Sequence, residues 1–109
     1  MTADWRAYGA HILDSIAKLD RIQARGDIVA DDILYDAALR NLQTLAEATQ
    51  RLPEVLKAQY GDIEWNKIAA FRNILVHNYL GSIDPQTVVG ILSAHIEPLR
   101  VAVAAMLAS

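Results

Sequence analysis

Residues 5–24 read WRAYGAHILDSIAKLDRIQA, and within them Trp5, Tyr8, Ile12, Ile16, Leu19 and Ile22 recur every three or four positions. That spacing returns an apolar side chain to one face of a 3.6-residue turn and predicts an amphipathic helix. Asp4 stands before it as an N-cap, and Gly26 stops it shortly after Ala24. The same period continues along the chain. Asp31 or Asp32 caps a second helix whose inner stripe is Ile33/Leu34, Ala37/Ala38, Leu42, Leu45, Ala48/Thr49 and Leu52. Pro53 opens a short helical turn from Glu54 to Tyr60, which Gly61 terminates. A third long helix starts between Asp62 and Trp65 and carries Trp65, Ile68, Ala69, Phe71, Leu75 and Val76, with Gly81 as its C′ residue. Asp84-Pro85 sets an N-cap before a proline at the first helical position. The fourth helix runs from there to about Leu107, with Pro98 as a kink inside it. No stretch alternates with a period of two for long, so the expected fold is all-α: an antiparallel bundle of four main helices plus a short one.

The chain has 109 residues, of which 53% are hydrophobic and 21% charged, with a mean hydropathy of +0.16. That is the size and balance of one folded domain, so residues 1–109 are read as a single helical domain. Cysteine is absent, which excludes disulfide frameworks, thiol nucleophiles and cysteine-based metal sites. No apolar run approaches the roughly 18–20 residues of a membrane span. The N-terminal segment carries Asp4 and Asp14 and has no signal-peptide pattern. The expectation is a soluble, cytoplasmic protein without a membrane partner.

Charge restricts the function further. The formal net charge is −3 and the pI about 5.5. Residues 1–50 hold eight acids against five bases, and residues 51–109 hold five of each. A nucleic-acid binder working by counterion release normally shows a basic stripe. None is present, so any RNA contact must be local, brief or built across an oligomer. The C-terminal VAVAAMLAS from Val101 carries no charged side chain, and a helix apolar nearly all round is buried on more than one side. A subunit interface is one second partner for it; a loosely buried terminus is the other reading.

The residues suited to chemistry lie in Phe71-Arg72-Asn73-Ile74-Leu75-Val76-His77-Asn78-Tyr79-Leu80-Gly81. An Arg and a His five apart are a weak signal, since Arg6 and His11 have the same spacing on an ordinary amphipathic helix and are discounted. Arg72 is distinguished by the polar Asn73 and apolar anchor after it, and His77 by Asn78 and Tyr79. Five helical steps rotate about 140° and rise about 7.5 Å. Such a separation suits a guanidinium fork on a phosphate and an imidazole, which titrates near neutrality, on an adjacent oxygen. On spacing alone, the blander reading is favoured: Arg72 and Asn73 solvated, His77 and Tyr79 part of a helix C-cap.

Beyond spacing, residues from about 9 to 105 resemble the HepT family of the HEPN superfamily. The resemblance is carried by Asp32-Ile33, by Asp36 to Leu42, by Glu47-Ala48 and Arg51-Leu52-Pro53, and above all by Trp65 to Gly81 with Asp84 following. The family signature is an Arg, a polar residue, a short spacer, a His, any residue and a Tyr. Arg72, Asn73, His77 and Tyr79 supply each element. The resemblance implies the toxin of a toxin–antitoxin pair, a metal-independent endoribonuclease that acts as a helical homodimer with the two motifs facing one cleft. It implies that Arg72 binds the scissile phosphate and that His77 is the general acid/base in attack by the ribose 2′-OH, with Asn73 and Asn78 in support. It also implies a minimal nucleotidyltransferase (MNT) antitoxin as partner, which transfers AMP to Tyr79. No cofactor or metal is implied, and His11, His77 and His95 share no ligand spacing. The alternative function is a non-catalytic helical subunit that docks a nucleotidyltransferase; a bare dimerisation scaffold would leave the polar cluster without a purpose.

Other polar and aromatic residues take plainer roles. Trp65 and Phe71 are read as core aromatics, and Trp5 and Tyr8 face the bundle interior. Asp27, Asp31, Asp32 and Asp36 are acids of a loop and a helix N-terminus, where the macrodipole favours them. His95 is read as a core or interface histidine. Arg40 and Asn41 either support the cleft or, in the case of Asn41, hydrogen-bond across the bundle.

Overall fold

The computed structural model describes residues 4–77 and 83–109. Within them the chain forms six helices: α1 (Trp5–Arg25), α2 (Asp32–Thr49), α3 (Glu54–Ala58), α4 (Trp65–His77), α5 (Pro85–Ala94) and α6 (Ile96–Ala108). The described residues contain no strand, and the all-α expectation holds.

Local chemistry starts the helices where the sequence places their caps. The Asp4 carboxylate accepts from the Arg6 N–H at 3.0 Å, and Asp84 accepts from Gln86 N–H at 3.0 Å with Pro85 first in its helix. Of the two candidates for α2, the cap is Asp31, which accepts from Ile33 and Leu34. Asp27 shapes the preceding turn by accepting from Val29 N–H at 2.9 Å. These carboxylates satisfy backbone donors that a helix start leaves unpaired.

α1 packs most extensively against α2, and also against α6; α4 lies on α2, and α5 on α6. Ile12, Ile16 and Leu19 of α1, Leu42 of α2, Val88 of α5 and Val103 and Met106 of α6 are the large, fully buried side chains of the centre. Burial of each contributes about 1.5–3 kcal/mol relative to exposure. α4 is held more lightly, with Leu75 its one buried side chain. Its start is fixed by Trp65, whose indole N–H donates to the carbonyls of Lys57 and Tyr60. Trp65 and Phe71 pack half-buried against the core, as do Trp5 and Tyr8.

The predicted fourth helix is in fact two, α5 and α6, which meet at His95 with a bend of 44°. Pro98 explains the position of the break: its ring crowds the carbonyl four residues earlier, at Ala94, and its nitrogen has no proton to donate. The disturbance therefore falls upstream of the proline rather than at it. Among the described residues no single helix is long and apolar enough to cross a membrane.

Candidate active site

α4 presents Arg72 on the side that faces α2. The helix begins at Trp65 because Trp65 and Ile68 have apolar neighbours to pack on, and it is Leu75, one turn beyond Arg72, that enters the core. Arg72 is thus anchored from both ends while its own side chain remains 32% exposed. One of its terminal nitrogens, Nη1, donates to Asn73 Oδ1 at 3.2 Å. The Nε atom is buried with no hydrogen-bond partner, and the Glu47 carboxylate of α2 approaches it to 3.9 Å. That is an ion-pair separation beyond hydrogen-bond reach. A buried donor left unsatisfied is rare in folded proteins and asks for a reason.

Arg72 opens onto a groove of about 370 Å³ where three helices meet, within the volume range of small-ligand sites. α1 contributes Tyr8 and His11, α2 contributes Thr44 and Glu47, and Arg51 comes from the turn just after α2. The Arg51 guanidinium lies over the Tyr8 ring, 5.9 Å from its centroid. The Tyr8 and His11 rings are 6.5 Å apart and tilted by 55°. Thr44 is committed to its own helix, donating to the Arg40 carbonyl. Two guanidinium groups against one carboxylate make this a locally cationic spot on an acidic chain.

His77 is the last residue of α4 and is exposed. It does not line the groove that holds Arg72; five helical residues place the two about 140° apart around α4. Asn73 is exposed beside Arg72. Asn78 and Tyr79, and the expected C′ residue Gly81, lie outside the described residues.

Several plainer readings change. Asn41 does not bond across the bundle; its side-chain amide donates to the Ala37 carbonyl of its own helix at 2.9 Å, and Arg40 is exposed. His95 is exposed rather than a core residue. It borders a larger groove of about 440 Å³ that runs between α2, α4 and α6 past Leu45, Phe71 and Leu99. That groove is mainly apolar and holds neither Arg72 nor His77, so the smaller polar groove is the better candidate for chemistry. Sequence reasoning passed over His11 and Arg51. The signal for His11 was its position three residues after Tyr8, on the same side of α1.

Just before the Asp84 cap of α5, the Ile83 carbonyl accepts from the Tyr35 hydroxyl. Burial, then the nearby Asp36 and Asp84 carboxylates, raise its pKa above the usual phenol value. The exposed Glu64 carboxyl is lowered by its hydrogen bond and charge pairing with Lys67, with a smaller contribution from His95. Among the described residues no group of three or more His, Asp or Glu side chains is arranged to hold a metal ion.

A family model described as ribonuclease HepT-like matches residues 12–106. A candidate RNase of Caldanaerobacter subterraneus subsp. tengcongensis is 33% identical over 79 residues, covering 70% of this chain and 70% of that protein. A gamma-glutamylcyclotransferase and candidate RNase of Methanocaldococcus jannaschii is 31% identical over 84 residues. Those residues are 74% of this chain but 38% of that protein, so the chain spans well under half of its length. A candidate ribonuclease HepT of Thermococcus cleftensis is 28% identical over 72 residues, 66% of each chain. No solved structure matches the chain.

Proposed function

The chain belongs to the HepT-like ribonuclease family of the HEPN superfamily, and from that premise we propose that it is the RNA-cleaving toxin of a toxin–antitoxin pair, acting as a homodimer without a metal. The observation that carries this reading is Arg72: a guanidinium bonded to Asn73, with Nε unpartnered, opening onto a cationic groove. A guanidinium so placed suits a phosphate, which it binds through charge-assisted, fork-like hydrogen bonds.

The reaction needs no group that the chain lacks. A base removes the proton of a ribose 2′-OH, O2′ forms a bond to the neighbouring phosphorus, and the P–O5′ bond breaks as an acid protonates the departing O5′. The products are a 2′,3′-cyclic phosphate and a 5′-OH end. Arg72 stabilises the charge that builds on the phosphoryl oxygens. His77 moves the protons, since an imidazole carries one nitrogen that can accept a proton and one that can donate it. Asn73 holds the guanidinium, and Asn78 supports the motif.

In this reading a homodimer supplies what one protomer leaves incomplete, since Arg72 and His77 lie about 140° apart around α4 and His77 does not line the Arg72 groove. Ile74 of α4 is 44% exposed and Val101 of α6 is 60% exposed, apolar surface of the kind a second copy would cover. In this reading the partner is an MNT-type nucleotidyltransferase antitoxin that transfers AMP to Tyr79. The added group silences the toxin by placing bulk and negative charge two residues from His77.

Incubation with a cellular RNA pool in EDTA, followed by mapping of the ends, tests the proposal. The wild type is expected to yield 2′,3′-cyclic phosphate ends and His77→Ala none, with fold and dimer unchanged. Intact RNA with folded wild-type protein, unmodified at Tyr79, would refute it and favour a non-catalytic subunit.

A further inference from the structure

We infer that Arg51 and His11, fixed against the ring of Tyr8, form a second phosphate-binding subsite that takes the RNA phosphate next to the one held by Arg72. The inference rests on the RNA-cleaving reading and extends it to other residues lining the same groove.

Three observations carry it. First, Arg51 and Arg72 open on the same groove although they are 21 positions apart in the sequence and come from different elements. A site that held one phosphate at Arg72 alone would need no second guanidinium. Second, the Arg51 backbone N–H donates to the Ala48 carbonyl, but its guanidinium has no ion-pair or hydrogen-bond partner among the described residues; its neighbour is the Tyr8 ring, 5.9 Å from centroid to guanidinium. An aromatic face orients a guanidinium while leaving its donor edges free for an anion. Third, the His11 ring lies 6.5 Å from the same tyrosine ring, so two nitrogen-bearing groups flank Tyr8 and both line the groove. Tyr8 itself is packed against the core. The one acid lining the groove, Glu47, stands on the Arg72 side at 3.9 Å from Nε and also accepts from Gln43 at 3.4 Å.

RNA offers a row of phosphates, and a protein of net charge −3 has little long-range attraction for them. Contacts to two successive phosphates, concentrated in one groove, supply locally what the whole molecule does not. This subsite gives affinity and register along the strand; the chemistry stays with Arg72 and His77.

The test measures binding of a 2′-O-methyl oligoribonucleotide, which lacks the attacking hydroxyl, over a range of salt concentrations. Arg51→Gln is expected to weaken binding about tenfold and to reduce the slope of log K against log salt by roughly 0.7, the value for one phosphate contact on a single strand. Arg51→Lys is expected to restore the slope, which a purely structural role of Arg51 would not give. His11→Ala is expected to weaken binding about threefold. Arg100→Gln, a cation paired with Glu97 outside the groove, should change neither quantity. An unchanged slope in Arg51→Gln, with RNA still cleaved by the wild type, overturns the subsite and leaves the ribonuclease reading standing. A reduced slope with no RNA cleavage by the wild type keeps the subsite and removes the cleavage reading. No binding of the probe by the wild type overturns the subsite outright.

Discussion

Replacing Glu47 by Gln should strengthen RNA binding. The Glu47 carboxylate lies 3.9 Å from Arg72 Nε, and the two side chains are 46% and 32% exposed. Unit charges at that separation interact by about 1 kcal/mol in water-like surroundings, and exposed pairs measured by mutant cycles give about 0.2–1 kcal/mol. A phosphate arriving at Arg72 competes with this carboxylate and is repelled by it. Neutralising it should therefore tighten binding roughly two- to fivefold, at about 1.4 kcal/mol per factor of ten. Gln keeps the size of Glu, and a neutral side chain near the C-terminal end of α2 is slightly favoured by the helix dipole, so the fold should not suffer. The assay is Kd for the 2′-O-methyl oligonucleotide at low salt, alongside kcat and KM for a cleavable one. The expected result is a lower Kd and KM with kcat little changed. A fall in kcat of tenfold or more at unchanged Kd would refute the reasoning, because Glu47 would then be holding Arg72 in its reacting orientation.

Three other perturbations have defined outcomes. Tyr35→Phe removes the hydrogen bond to the Ile83 carbonyl and should cost about 1 kcal/mol of stability near neutral pH. Burial and the Asp36 and Asp84 carboxylates raise the Tyr35 pKa above the ordinary phenol value, so the tyrosine's contribution is complete below that value and is lost as pH rises through the folded one; denaturation midpoints of the two proteins should converge as pH rises past the ordinary phenol range, and a constant gap would sink the assignment. Val103→Ala, at a position of zero exposure, should lower the urea midpoint by the equivalent of roughly 2 kcal/mol without changing the slope m. Mixing inactive Arg72→Ala and His77→Ala proteins should restore about a quarter of wild-type cleavage if Arg72 of one protomer works with His77 of the other, since about half the dimers are then mixed and each has one intact site; no recovery in demonstrably mixed dimers would place both residues of a site in one chain.

The parts of this fold that were legible in the sequence are those decided locally. A cap acts over two or three residues, which is why Asp4, Asp84 and one of the Asp31/Asp32 pair could be placed without tertiary information. The apolar stripe of α1 was equally legible, because a 3.6 period needs only one helix to be visible. The bend at His95 was displaced from its expected place because a proline acts on the carbonyl four residues upstream. Asn41 was left open because a side-chain amide can bond along its helix or away from it, and periodicity does not distinguish the two. The groove was the least legible feature. Tyr8 and His11 share one side of α1, but only the packing of α1 and α4 on α2 brings them to Arg51 and Arg72. The Arg6/His11 spacing carries no chemistry of its own: His11 lines the groove beside Tyr8, and Arg6 does not line it.

The direction in which Arg72 and His77 diverge bears on how the motif works. Residues three or four apart would share a helix face, and one groove in one protomer could hold both. Five steps place them about 140° apart around α4, so the packing of α4 on α2 that draws Arg72 into the groove turns His77 away from it. Lengthening the reach of either side chain does not remove that angle. In the proposed reaction, His77 would be completed by a second surface, such as its counterpart across a dimer interface. The light packing of α4, with Leu75 as its one buried side chain and Ile74 left 44% exposed beside the motif, leaves room for that surface. A motif that could close within one chain would gain nothing from an exposed isoleucine in its centre; a motif completed by a second copy has a direct use for it.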